Sequence, residues 1–201
     1  MGDFNDFLKI LETYKLKQVS RASSNNYSCD KTKQQIQRKE TTAEHVYSTL
    51  KLATYFLDTY EEFSDLDKIK VYELIMFHDD IEIAVGDINI SDRKARVEKE
   101  QNEINALDNF SKLYPKILEK RLKVLDSEYR KNLSEETKFA HAMDKLDGLI
   151  HELQYPNDWG EHTGFTEENV RKWFENSFNY SEILKGYFEN IVTYCRKNNY
   201  F

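Results

Sequence analysis

The chain has 201 residues with only 2 Pro and 6 Gly, and 29 basic against 36 acidic side chains leave a formal net charge of −7. So few backbone breakers disfavour a β-sandwich, a turn-rich barrel or a disordered chain. The acidic balance disfavours a generalised nucleic-acid-binding surface.

Apolar spacing predicts an all-α chain of about 7–8 helices forming one domain over residues 1–201. The first helix covers about 3–19, with Phe4, Phe7, Leu8, Leu11 and Tyr14 on one stripe at helical spacing. Periodicity then disappears from 20 to 40, a long polar loop of the kind that serves as a lid or binding loop. Thr41-Thr42-Ala43-Glu44 fits a capping box and opens a second helix running to about Tyr60. A third covers roughly 66–78, with Ile69, Tyr72, Ile75 and Met76 expected to face inward. Gly86 breaks the chain. A charged fourth helix follows from about 91 to 110, its run from Asp92 to Glu103 read as a solvated face from which Lys94 or Arg96 reaches a neighbouring site. Pro115 opens a fifth helix. A sixth spans about 134–154 and carries Phe139, Met143, Leu146, Leu149 and Ile150, and two more lie near 167–176 and 181–197. The longest apolar runs are about four residues, such as Leu74-Ile75-Met76-Phe77, where a membrane span needs about 20. Cys29 and Cys195 are too few and too far apart for a disulfide framework. No basic segment leads into a long apolar one near the N-terminus, so a cytoplasmic protein with no membrane partner is expected.

The chemistry-bearing residues lie at the ends of these helices. His45 sits near the start of the second helix, and His78-Asp79-Asp80 follows the apolar end of the third. Desolvating a His-Asp pair there is costly unless something compensates it, and a divalent cation would do so. Imidazole and carboxylate together suit Mn²⁺, Co²⁺ or Fe²⁺. Glu82 lies one helical turn after Asp79, Gly86-Asp87 marks a sharp break with a carboxylate just after it, and Asp144 borders the inner stripe of the sixth helix. The simplest roles for other residues are structural. Glu44 is read as a cap, His141 as a surface residue, and Tyr155, Trp159 and Trp173 as packing aromatics.

The order His45, His78-Asp79, Asp144 resembles the H…HD…D signature of the HD-domain metal-dependent phosphohydrolases. Leu16-Lys17 with Arg21, Ala43-Glu44-His45, His78-Asp79-Asp80-Ile81-Glu82, Gly86-Asp87 and Asp144-Lys145-Leu146-Asp147 narrow it to the HD-domain 5′-deoxyribonucleotidases, over about residues 4–155. The resemblance implies that His45, His78, Asp79 and Asp144 bind one divalent metal ion (Mn²⁺, Co²⁺, Fe²⁺ or Mg²⁺). It implies that Glu82 orients or deprotonates the attacking water or assists the leaving group, and that Asp87 contacts substrate or helps position that water. Arg21, with Arg38, would hold the phosphate. It further implies a small-molecule nucleotide substrate, phosphate release from nucleoside 5′-monophosphates, and a homodimer. Two alternatives stand beside this: hydrolysis of another nucleotide ester or anhydride, of the dNTP or alarmone type, and non-catalytic nucleotide binding.

Overall fold

Helix starts are set by side chains that can accept a backbone N–H. Thr41, Asp67, Asp92, Ser134, Thr166 and Ser181 each cap the helix that follows. Thr41 and Glu44 form the expected capping box. The computed structural model describes residues 4–22 and 39–201. The expected loop lies mostly outside the described residues, and so do Arg38 and Cys29. Among the described residues there are nine α-helical segments: α1 (Phe4–Thr13), α2 (Thr42–Thr59), α3 (Lys68–Phe77), α4 (Glu82–Val85), α5 (Arg93–Phe110), α6 (Lys116–Lys131), α7 (Glu135–Glu152), α8 (Glu167–Phe174) and α9 (Glu182–Lys197). Eight match the expected helices. The ninth, α4, is a single turn that ends at Gly86, whose φ of 75° is a left-handed value glycine adopts without strain. Extended pairing among the described residues is limited to two isolated bridges, Ser20 with Thr41 and Gly160 with Phe165. No helix among them is long and apolar enough to cross a membrane.

Helices α2, α3 and α7 pack on one another and form the centre of the molecule. Ala53 and Phe56 from α2, Val71, Leu74 and Ile75 from α3, and Phe139, Met143 and Leu146 from α7 meet there, all at 1% exposure or less. Phe178, Leu184, Phe188 and Val192 close the same core from the C-terminal side. A smaller apolar cluster of Ile81, Phe110, Tyr114 and Leu122 supports the chain after α3.

Three expected apolar faces are corrected. In α3 the buried stripe is Val71, Leu74 and Ile75, while Ile69 and Met76 are exposed. That helix is apolar almost all round, so two stripes compete at the same spacing. In α7, Ile150 is exposed. In α1 no residue is buried; Leu16, in the 3-10 turn Tyr14–Gln18, takes the inward place instead.

Candidate metal centre and substrate cavity

The core arrangement fixes where the polar residues fall. His45 lies in the first turns of α2, fully buried against α7. His78 is the C-terminal cap residue of α3, and Asp79 follows in the turn leading to α4. Asp144 and Asp147, one turn apart, share the face of α7 next to its apolar stripe, and both are buried.

These side chains converge. Candidate ligand atoms of His45, His78 and Asp79 all lie within 4.8 Å of one another. Asp144 Oδ1 is 3.1 Å from His45 Nε2 and 3.9 Å from His78 Nε2. Hydrogen bonding fixes which nitrogen faces the centre. His78 Nδ1 donates to the Ile75 carbonyl at 2.7 Å, and His45 Nδ1 donates to Asp147 Oδ2 at 2.8 Å. Both Nε2 lone pairs therefore point at carboxylate oxygens. His78 Nε2 faces Asp79 Oδ2 at 3.2 Å and is buried with no hydrogen-bond partner among the described residues. Lone pairs facing one another in a buried space fit a cation, and a set of two imidazoles and two carboxylates suits a divalent metal ion. Without one, protons take its place. Burial and Arg21 act to lower the His45 pKa, but the hydrogen bonds to Asp144 and Asp147 outweigh them and raise it to about 9. Asp79 is driven well below the usual carboxylate range, His78 and Arg21 overcoming its burial. Lys145, which donates to Asp144 Oδ2 at 2.7 Å, acts on Asp144 in the same direction, as do both histidines.

A cavity opens beside this centre. Its wall combines Arg21, Asp79, Glu82, Asp87, Lys99, Asp144 and Glu152 with the apolar Ile88, Ile90, Leu149, Phe165 and Phe174. Arg21 reaches it because the chain flanking residues 23–38 closes on itself: Arg21 N–H donates to the Glu40 carbonyl and Thr42 N–H to that of Val19, each at 2.9 Å. Its Nη1 lies 3.4 Å from Asp79 Oδ2 and 3.8 Å from Asp87 Oδ2, and its buried Nε has no hydrogen-bond partner among the described residues. Asp87 accepts from the Ala22 N–H and from its neighbour Ile88 N–H, each at 2.8 Å. Burial acts to raise Asp87, but Arg21, Lys99 and the Ala22 N–H outweigh it and hold its pKa down. Glu82 Oε2 accepts from Thr42 Oγ1 at 3.0 Å, and Oε1 from Lys99 Nζ at 2.5 Å. Burial, with Asp79 and Asp87, raises Glu82 to about 8 against the pull of Lys99 and Arg21. A second hollow, walled by Tyr129, Arg130 and His141, shares Asp79, Asp144, Lys99 and Lys145 with the first.

The seven described candidate residues, Arg21, His45, His78, Asp79, Glu82, Asp87 and Asp144, thus share one region. Sequence reasoning gave no role to three neighbours. Asp147, which orients His45, belongs to the motif that begins at Asp144, and its spacing of one turn from Asp144 could have assigned it to the centre. Tyr129, whose ring lies 5.3 Å from that of His78 and whose hydroxyl is 3.4 Å from Asp144 Oδ2, carried no signal. Lys99 was hidden in a run read as a solvated face, yet it is buried. His141 is likewise no surface residue: half-buried, it stacks on Tyr129 at 3.7 Å and donates from Nε2 to the Tyr129 carbonyl. Trp159 does pack, buried and donating to the Glu152 carbonyl at 2.9 Å.

A helical core that brings two histidines and two aspartates together, His45 from the start of α2, His78 and Asp79 from the end of α3 and Asp144 from the middle of α7, is of the HD-domain kind, and the chain belongs to the HD domain family, whose model matches residues 13–183. Among its relatives, 5′-deoxynucleotidase HDDC2 of Bos taurus is 32% identical over 120 residues, 60% of this chain and 56% of that protein. The Homo sapiens protein of the same name is 28% identical over 150 residues, 75% of this chain and 70% of that one. The match thus spans little more than half the length of the bovine relative. Among solved structures, a predicted metal-dependent phosphohydrolase of Magnetospirillum magnetotacticum MS-1 shares the fold with a TM-score of 0.80 at 23% identity, over 98% of this chain and 94% of that one. A protein of Pyrococcus horikoshii OT3 does so at 0.60 and 22%, over 92% and 95%.

Proposed function

We propose that this chain is a divalent-metal-dependent phosphohydrolase that releases phosphate from nucleoside 5′-monophosphates, deoxyribonucleotides foremost, and that residues 1–201 make one HD-type domain. The observation that carries this reading is the pair of Nε2 lone pairs aimed at Asp79 and Asp144, beside a buried Arg21 whose Nε–H meets no acceptor among the described residues. The relatives named 5′-deoxynucleotidase support the substrate class.

His45, His78, Asp79 and Asp144 would hold the ion, with Mn²⁺, Co²⁺, Fe²⁺ and Mg²⁺ all compatible with a mixed nitrogen and oxygen set. When bound, the ion supplies Lewis acidity toward water and the phosphoryl oxygens. The remaining work falls to the chain. Arg21 offers the phosphate a planar guanidinium whose Nε–H meets no acceptor among the described residues, a donor set that a lysine cannot reproduce. Glu82, whose affinity for a proton is raised by burial and its acidic neighbours, in its ionised form takes a proton from the attacking water as the new P–O bond forms, and returns that proton to O5′ as the P–O5′ bond breaks. Asp87 keeps Arg21 in place through its bond to the Ala22 N–H, and it lines the cavity where the substrate lies. Ile88, Ile90, Leu149, Phe165 and Phe174 supply an apolar surface for the nucleoside.

The test is a phosphate-release panel. Purified protein loaded with Mn²⁺, Co²⁺ or Mg²⁺ is offered deoxyribo- and ribonucleoside mono- and triphosphates. Release from deoxynucleoside 5′-monophosphates is expected; metal-loaded protein that releases phosphate from none of the monophosphates overturns the reading.

A further inference from the structure

Lys99 has no part in the reading above, yet it lies at the centre of the cavity wall. Its side chain is only 10% exposed. Nζ donates to Glu82 Oε1 at 2.5 Å and to Asp87 Oδ1 at 3.2 Å, with Glu103 Oε1 at 3.6 Å one turn further along α5. A buried ammonium has three donors and no freedom to leave them unpaired. Here the donors join groups from separate parts of the chain. From Lys99 the contacts run through Glu82 to Thr42 of α2, and through Asp87 to Ala22 and Arg21.

We propose that Lys99 is a positioning residue that clamps Glu82 and Asp87 into one unit, fixing the direction of the Glu82 carboxylate and, through Asp87, the seat of Arg21. Glu82 and Asp87 are buried carboxylates on either side of the Gly86 turn. With Lys99 removed, the described cation still paired with Asp87 is Arg21, which reaches it on the Oδ2 side at 3.8 Å. Two such acids relieve their repulsion by turning apart or by drawing in water, and either change frees the Asp87 carboxylate from the Ala22 and Ile88 amides. A misplacement of about 1 Å in a catalytic group is enough to lower turnover about 10²-fold. The role in turnover rests on the phosphohydrolase reading; the clamp itself does not.

The experiment compares the full metal-loaded chain with Lys99→Met and Lys99→Arg in two measurements. Amide hydrogen exchange of Ala22 and Ile88, which both donate to Asp87, reports on the clamp without any substrate. In Lys99→Met exchange at both should quicken about 10-fold or more, while Lys99→Arg stays near the parent. Steady-state phosphate release should show kcat lowered about 10-fold or more in Lys99→Met, KM raised as Arg21 loses its seat, metal content unchanged, and most of kcat restored in Lys99→Arg. Unchanged exchange at Ala22 and Ile88 overturns the clamp whatever the activity. Quickened exchange with unchanged kcat overturns the positioning role and leaves Lys99 purely structural. If the parent chain itself releases no phosphate, the hydrolase reading fails, and exchange alone then decides for or against the clamp. Should Lys99→Met not fold, Lys99→Gln, uncharged but still a donor, takes its place with the same expectations.

Discussion

Replacing Asp147 by alanine perturbs the metal centre without touching any of its four expected ligands. In the parent, Asp147 Oδ2 accepts from His45 Nδ1 at 2.8 Å and from Ser48 Oγ at 3.0 Å. Ser48 keeps acceptors at the Glu44 and His45 carbonyls, so its loss is small. His45 has no such reserve: its ring is fully buried, and an Nδ1–H with no acceptor costs about 1–3 kcal/mol. The metal-free imidazole, charged in the parent, escapes by giving up its Nδ1 proton and keeping the one on Nε2, where Asp144 Oδ1 waits at 3.1 Å. That tautomer blocks the lone pair a metal needs. Either way about 1.4–2.8 kcal/mol is subtracted from metal binding, a loss of about 10- to 100-fold in affinity. Asp147→Asn keeps one acceptor without the charge and should fall between. Competition with a chelator at neutral pH, using Mn²⁺ for parent and both variants, measures the series. An Asp147→Ala affinity within about twofold of the parent would refute the reasoning, since His45 would then not depend on that hydrogen bond.

Other outcomes follow from the same geometry. Glu82→Gln should keep the metal, by elemental analysis, and lose about 10²-fold in kcat; unchanged kcat removes Glu82 from proton transfer. Arg21→Lys keeps the charge but loses the planar donor set, so KM for a nucleoside monophosphate should rise about 10-fold at constant metal content; an unchanged KM rejects Arg21 as the phosphate holder. Burial raises Asp80 from 3.8 to about 7, despite the Tyr114 hydroxyl at 2.9 Å and His78 acting the other way. Because the folded value lies above the unfolded one, the folded state binds more protons between them, and stability is lost as pH rises through that window. Thermal melts of metal-free Asp80→Asn should therefore gain on the parent by about 2–4 kcal/mol between acid and neutral pH. A difference that does not vary with pH would show that Asp80 is not titrating there.

What the sequence revealed follows from how local each signal is. Thr41 with Glu44 marks the start of a helix, and so does Ser134, because a cap is decided within four residues. His45, His78-Asp79 and Asp144 were legible because their spacing and order carry the resemblance, and the fold then needs only three packed helices to bring them together. The α3 face was misread because Ile69, Val71, Tyr72, Leu74, Ile75 and Met76 offer more than one stripe, and only the positions of α2 and α7 choose between them. The α1 stripe has ideal helical spacing, yet no described element covers it. Lys99 was invisible for a different reason. In a helix of alternating charges, burial of one lysine depends on Glu82 and Asp87, which a glycine turn brings round from another segment.

The charge arrangement explains how an acidic protein can receive a dianion. The cavity wall carries five carboxylates, on Asp79, Glu82, Asp87, Asp144 and Glu152, against four cations on Arg21, Arg96, Lys99 and Lys145. Two of those cations are already committed, Lys145 to Asp144 and Lys99 to Glu82 and Asp87. A phosphate entering such a wall meets little unbalanced positive charge beyond Arg21 and Arg96. A divalent ion among His45, His78, Asp79 and Asp144 reverses the balance at the point where the carboxylates are densest. Metal and phosphate binding are then linked, and linkage is reciprocal: whatever affinity the ion confers on the phosphate, the phosphate returns to the ion. On the proposed function, the buried acids that would repel a nucleotide from the metal-free cavity are the same groups that would favour one arriving with a metal.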